Sequence, residues 1–442
     1  MPPGHNHFPS PIPASFVPCS RRTFLRTATS SAALVAFCPT EAFGRRHATP
    51  SGPTIDRVTA VEVPGSFYRP IAMNAYDDAP KGQAGTIRLV TLTLSDGTTG
   101  IGVEGYAQVD DKTVAGIEDT LLGANPLDVY QWQGDRIRDL HPEYRSFFQD
   151  ARYAWLETPL LDAIGKRKGT PVHALFGTRV RDHVAAYDGT LYFKDVEQER
   201  DAEVIGELAA RIKADGYKAI KMKVGRSYKW MEGEAGVTRD IEAVAAAREA
   251  VGPNFNLMAD ANNGYQDHFD WALRFLEATA PHELYWMEEI FPDNTEQYHR
   301  LLDELHARNV SVPIAEGETI WQIDEFRPYL DAGVFDVIQP DMRTVGFSNV
   351  LRAADLAASH GAMLVPHNWQ SEVGKLMSIH AALVTENIRF AEDDRWSNHV
   401  LDTSDYVFRD GQWTAPKQPG WGIALNDHYD RIEQEAEPLA IS

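Results

Sequence analysis

The residues with chemistry in them are a pair of lysines, a series of carboxylates, and a histidine that follows an aspartate. Ala219-Ile220-Lys221-Met222-Lys223-Val224 alternates in character. In a strand, Ile220, Met222 and Val224 would share one face and Lys221 and Lys223 the other. A buried ammonium needs anions beside it; an edge strand with a solvated lysine face gives the same alternation. The anions follow in order. Asp260 ends Leu257-Met258-Ala259-Asp260, Glu288 and Glu289 end Tyr285-Trp286-Met287-Glu288-Glu289, and Glu318 ends Ile314-Ala315-Glu316-Gly317-Glu318. Gathered together, each close pair of carboxylates repels by about 4 kcal/mol at ~4 Å and an effective dielectric of ~20. A divalent cation removes that cost, and an all-oxygen set suits Mg²⁺, with Mn²⁺ as a substitute. Separate surface salt bridges would require three independent coincidences at strand ends. Asp341 follows Ile338-Gln339-Pro340, and His367 follows Leu364-Val365-Pro366. A carboxylate on the preceding strand would hold the imidazole tautomer and raise its basicity. Glu392 closes Arg389-Phe390-Ala391-Glu392 and is ambiguous on its own. A lysine on one flank, a His–Asp pair on the other and a metal between them suit removal of the proton α to a carboxylate. The enediolate that results would be stabilised by the metal and the second lysine.

Such residues must be presented by strand ends on one rim. Strand-like runs at 183–187, 219–224, 255–260, 284–289, 312–318, 335–339, 363–367 and 388–392 alternate with amphipathic stretches such as 202–213, 240–250, 269–278, 295–307 and 349–359. The stretches carry apolar residues at three- and four-residue spacing. Eight such units predict a closed parallel barrel over 183–395, with chemistry at the C-terminal ends of its strands. A doubly wound open sheet would normally carry a Gly-rich phosphate turn after its first strand, and none is present. Residues 54–180 read as an α+β domain: strands at 55–63 and 87–95, a turn at Asp96-Gly97, and a helix at 159–167. Residues 396–442 are expected to pack back on that domain.

The chain has 442 residues, 43% hydrophobic and 24% charged, with a net charge of −22. The composition is that of a globular protein, and the acidity argues against nucleic-acid or anionic-membrane binding. No run of about 18 apolar residues predicts a membrane span. With Cys19 and Cys38 alone, a disulfide or zinc framework is excluded. Residues 1–42 read as a leader: Ser20-Arg21-Arg22-Thr23-Phe24-Leu25-Arg26 precedes a short apolar run, as in twin-arginine export signals. Periplasmic export is the expectation, and cytoplasmic residence follows if the leader does not function.

The ordered set Lys221-Met222-Lys223, Asp260-Ala261-Asn262, Glu288-Glu289, Gly317-Glu318, Gln339-Pro340-Asp341 and His367-Asn368 resembles the mandelate racemase subgroup of the enolase superfamily, over roughly residues 54 to 425. The resemblance implies a modified (β/α)8 barrel, that is (β/α)7β, closed by the N-terminal α+β capping domain. It implies that Asp260, Glu288 and Glu318 bind Mg²⁺, that Lys223 is one base, and that Lys221 neutralises the substrate carboxylate. His367, oriented by Asp341, is the second acid/base, and Glu392 hydrogen-bonds the carboxylate. Ile290 stands where the family commonly has Pro, so the choice of Glu288 over Glu289 rests on an imperfect match. Gly346-Phe347 stands where a Gly-Gly pair is common, and Glu316 is an extra carboxylate. The activity implied is dehydration of a sugar acid to a 2-keto-3-deoxy acid. The alternatives are racemisation or epimerisation on the same machinery, and a non-catalytic periplasmic binder. The partner expected is a small-molecule carboxylate, and the resemblance implies a homo-oligomer. Tyr68 and Arg69, in a lid running through Asn74-Ala75-Tyr76-Asp77-Asp78, are expected at the substrate with Asn262, Asn368 and Trp369.

Overall fold

The computed structural model describes residues 52–435 and 439–442. The leader expected over 1–42 lies outside them. The first layer is an antiparallel sheet of β1 (Ile55–Ile71), β2 (Gly82–Leu94) and β3 (Thr99–Val103). Asp96-Gly97 makes the β2–β3 turn as expected. Gly97 takes φ +86°, and the Asp96 carboxylate accepts the Thr98 amide at 3.0 Å. Helix α1 (Glu157–Lys168) packs on β3. The contact is close enough that a β-carbon on Gly100 would lie 1.9 Å from the Pro159 carbonyl oxygen.

The barrel follows: β4 (Val184–Leu191), α2 (Glu203–Ala214), β5 (Ala219–Lys223), α3 (Glu234–Val251), β6 (Asn256–Asp260), α4 (Phe269–Thr279) and β7 (Met287–Glu288). It continues with α5 (Thr295–Ala307), β8 (Ile314–Glu316), α6 (Arg327–Ala332), β9 (Val337–Ile338), α7 (Phe347–Ser359), β10 (Met363–Leu364), α8 (Glu372–Ala382) and β11 (Phe390–Asp393). Neighbouring strands pair in parallel from β4 to β10, and β11 pairs in parallel with β4. A parallel bridge from Leu364 to Ile388 closes the ring. Eight strands with seven intervening helices make the (β/α)7β barrel. After β11 no barrel helix follows, and the next helix among the described residues is Asp427–Glu435. Instead β12 (Trp396–Asn398) and β13 (Leu439–Ile441) join β1, while 412–414 pairs with β4.

Strand β5 lies between β4 and β6 and is wholly buried, which removes the solvated-edge reading of its lysines. Ile220 and Met222 join the core shared with the outer helices. The barrel interior is filled by one side chain from, or just beyond, each strand: Tyr187, Ala219, Met258, Trp286, Ala315, Val337, Val365 and Phe390.

Candidate active site

Side chains of a strand return to the same face every second residue. Two residues beyond the apolar layer, the chain therefore presents Gly189, Lys221, Asp260, Glu288, Gly317, Gln339, His367 and Glu392 to the C-terminal mouth. This register alone explains why residues so distant in sequence meet. The strands end abruptly there. Asn262, two residues past Asp260, and Glu289, directly past Glu288, take φ +44° and +47°, and Gly317 takes +104°. Left-handed backbone at side-chain-bearing positions is paid for by the packing around it and gathers where function needs it.

Lys221 is 2% exposed. Its ammonium donates to Glu288 Oε1 at 2.5 Å and lies 2.8 Å from Glu392 Oε1 and 3.6 Å from Asp260 Oδ2. Lys223 pairs with Asp260. Burial acts to neutralise both lysines, but the carboxylates outweigh it and hold them well above the usual ammonium range. Glu288 Oε2 accepts Trp286 Nε1 at 3.0 Å and Gln339 Nε2 at 2.9 Å. Burial pushes Glu288 up to about 8, with Asp260 and Glu392 adding to the effect against Lys221. Glu289 accepts Asn262 Nδ2 at 2.8 Å. Its carboxyl is raised by burial, then by Glu318, Asp260 and Glu288. Glu288 thus faces the lysine side of the mouth, while Glu289 faces Glu318 and Asp260. Glu316 turns outward to the hydroxyl of Tyr298 on α5, which gives this carboxyl a structural partner away from the mouth.

On the opposite flank, His367 Nδ1 lies 3.0 Å from Asp341 Oδ2 and Nε2 lies 3.3 Å from Glu318 Oε2. Burial disfavours the charged ring, but Glu318, Asp341 and Glu392 outweigh it and push His367 up to about 10. Asp341 is fixed in turn by the Arg343 amide at 2.7 Å and the Tyr106 hydroxyl at 3.2 Å. Glu392 Oε2 accepts the Asn368 amide at 2.8 Å. A cavity of about 330 Å³ opens on Lys221, Lys223, Glu318, His367 and Glu392 together.

Among the described residues, no three acidic or imidazole groups are already drawn to metal-ligand spacing. The ammonium groups of Lys221 and Lys223 occupy the oxygens of Glu288 and Asp260 instead. The donor chemistry nevertheless fits a hard divalent cation. Asp260, Glu288, Glu289 and Glu318 are all oxygen donors, and Glu289 is held high by burial and by the carboxylates beside it.

Of the substrate-contact expectations, Asn262 and Trp369 line the cavity. Asn368 reaches it only through its amide to Glu392. Tyr68 and Arg69 do not line this cavity. Strand β1 runs on to Ile71, and the fully buried Asp188 draws the Arg69 guanidinium to 3.2 Å. Tyr68 stacks under Arg395 at 3.8 Å and is 64% exposed. Of the expected lid, Tyr76 reaches the cavity, joined by Lys81 just beyond it. Tyr106, Tyr192 and Trp321 also line it and were missed, because isolated aromatics in loops carry no periodic signal.

Residues 203–429 match the enolase C-terminal domain-like family. The chain is 30% identical over 361 residues to D-galactarolactone cycloisomerase of Agrobacterium fabrum, covering 76% of this chain and 88% of that one. The fold matches a galacturonate dehydratase from Geobacillus sp. complexed with D-galacturonate and 5-keto-4-deoxy-D-galacturonate. The TM-score is 0.76 at 28% identity, over 89% of this chain and 100% of that one. It also matches a mandelate racemase/muconate lactonizing protein from Geobacillus sp. Y412MC10 complexed with magnesium/tartrate, with a TM-score of 0.75 at 28% identity over 88% and 98% of the two chains. With this barrel, this mouth and these matches, the chain belongs to the enolase superfamily, in its C-terminal domain-like family.

Proposed function

We propose that this protein removes the proton α to the carboxylate of a sugar acid and expels the β-hydroxyl, giving a 2-keto-3-deoxy acid. The observation that carries the reading is the single cavity onto which Lys223 and the His367–Asp341 pair both open, with Lys221 and Glu392 between them. The dehydratase and cycloisomerase relatives support it.

Lys221 neutralises the substrate carboxylate, and Glu392 hydrogen-bonds one of its oxygens. Lys223 Nζ takes the α-proton. His367, kept protonated by Asp341 and Glu392, donates through its ring N–H to the departing hydroxyl, which leaves as water. The enol that remains ketonises to the 2-keto acid. Asp260, Glu288 and Glu318 would hold Mg²⁺, with Mn²⁺ as a substitute and Glu289 alongside. The cation would supply positive charge to the developing enediolate, and with Asp260 so engaged Lys223 would be free to act as a base through its amine. The magnesium recorded with the Geobacillus relative supports this assignment.

Racemisation or epimerisation is the second reading. It is favoured by the same observation, because Lys223 on β5 and His367 beyond β10 reach the cavity from separate strands and could trade a proton across it. Incubating the Mg²⁺-loaded protein with a sugar-acid library in D₂O tests both. A 2-keto product supports dehydration, deuterium exchange with inversion supports epimerisation, and neither with any acid overturns the proposal. Export through the twin-arginine-like leader is a further proposal, resting on Ser20–Arg26 alone and tested by cell fractionation.

A further inference from the structure

The catalytic cavity opens through aromatic rings. Five aromatic side chains are exposed among the described residues, and three of them, Tyr76, Tyr106 and Trp321, line this one opening. Trp321 is 43% exposed, and it also walls a second cleft of about 60 Å³. That cleft is lined by Gln149, Gln322, Asp324, Asn349 and Arg352. The side-chain amides of Gln149 and Gln322 have no hydrogen-bond partner among the described residues. Arg352 Nη1 donates to Asn349 Oδ1 at 3.1 Å.

The charge of the rim limits what it can take. The outer cation of the catalytic cavity is Lys81, and its ammonium is already met by Asp77 Oδ1 at 2.7 Å. Inside the catalytic cavity a second carboxylate on the substrate would find no unpaired positive charge and would approach Glu318, and in the second cleft the formal charges of Arg352 and Asp324 cancel. A neutral group fits instead. A pyranose ring offers a C–H face for an indole to cover and a girdle of hydroxyls for amides, a carboxylate and a guanidinium to bind.

We propose that the rim is a glycosyl subsite. The substrate is a sugar acid carrying a neutral pyranose on an oxygen beyond its β-carbon. The ring stacks on Trp321, and its hydroxyls reach Gln149, Gln322 and Arg352. The inference rests on the proposed α-proton chemistry and leaves that chemistry unchanged. The α-proton goes to Lys223, the β-hydroxyl leaves as water, and the glycosidic bond is retained in the product.

The test compares kcat/KM of the Mg²⁺-loaded protein on D-gluconate and D-galactonate with that on cellobionate, lactobionate, maltobionate and melibionate. At least one disaccharide acid is expected to exceed its parent acid by about tenfold. Trp321→Ala and, separately, Gln322→Ala should each bring that ratio toward one. If every disaccharide acid is used no better than its parent, or the ratio is unmoved in both variants, the glycosyl subsite is overturned while the α-proton chemistry stands. If no acid exchanges its α-proton, the proposed function fails and the subsite with it.

Discussion

Replacing Asp341 by Asn isolates what the carboxylate does for His367. The substitution keeps the shape and leaves an oxygen for the Arg343 amide, which Oδ1 accepts at 2.7 Å. It removes the negative charge facing His367 Nδ1 at 3.0 Å in a place 2% exposed to solvent. A hydrogen bond to a charged group contributes about 1.5–3 kcal/mol, and ~1.4 kcal/mol is one pH unit. His367, now pushed up to about 10, should therefore titrate one to two units lower in the variant. Glu318 and Glu392 still face the ring, so the shift is partial. The fraction of protonated ring is then smaller at mildly alkaline pH, and an amide N–H turned toward Nδ1 would impose the wrong tautomer. Turnover should fall by about 10- to 100-fold, with the alkaline limb of the rate profile moved to lower pH. NMR titration of the His367 ring, together with kcat across pH, reads both effects. A ring titration unmoved from wild type, or turnover within twofold, would refute the orienting role of Asp341.

Three further outcomes follow from buried groups. Lys221→Met should cost about 3–5 kcal/mol of stability without added divalent cation, because Glu288, Glu392 and Asp260 lose the ammonium they share; an unchanged urea midpoint contradicts this. Glu157, buried where α1 meets the start of α7, is pushed up to about 7 by burial despite hydrogen bonds from Ser348 and Tyr130. A carboxyl raised in the folded state stabilises fully below its unfolded value of about 4.5 and loses that contribution as pH rises toward 7, about 3 kcal/mol in all. Glu157→Gln should flatten that part of the stability–pH curve, and parallel curves for variant and wild type would rule the assignment out. Gly100→Ala drives a methyl into the Pro159 carbonyl of α1 and should destabilise by about 1–3 kcal/mol or more in urea unfolding.

Much of the barrel was readable because two periods were intact. The strand candidates reached the right rim, and helices such as 269–278 and 295–307 closely match Phe269–Thr279 and Thr295–Ala307. The alternation within Ala219–Lys223 placed both lysines inward. The lid was harder. An extended run through Ile71 cannot be told from a loop when Pro64, Gly65 and Pro70 interrupt the pattern, and the pull of Asp188 on Arg69 is a long-range pairing with no local trace. The different surroundings of Glu288 and Glu289 were equally hidden. They depend on one residue leaving the strand at φ +47°, which adjacent glutamates do not announce. The aromatic rim is built from loops on different elements, so the gathering of Tyr76, Tyr106 and Trp321 at one opening is visible only in three dimensions.

The base role of Lys223 is tested most directly by following the α-proton of a turned-over sugar acid in D₂O by ¹H NMR, with Mg²⁺-loaded wild type beside Lys223→Ala. Wild type should wash the proton out or lose it with product formation, while the folded, metal-loaded variant should do neither. Equal rates in the two proteins would contradict the account.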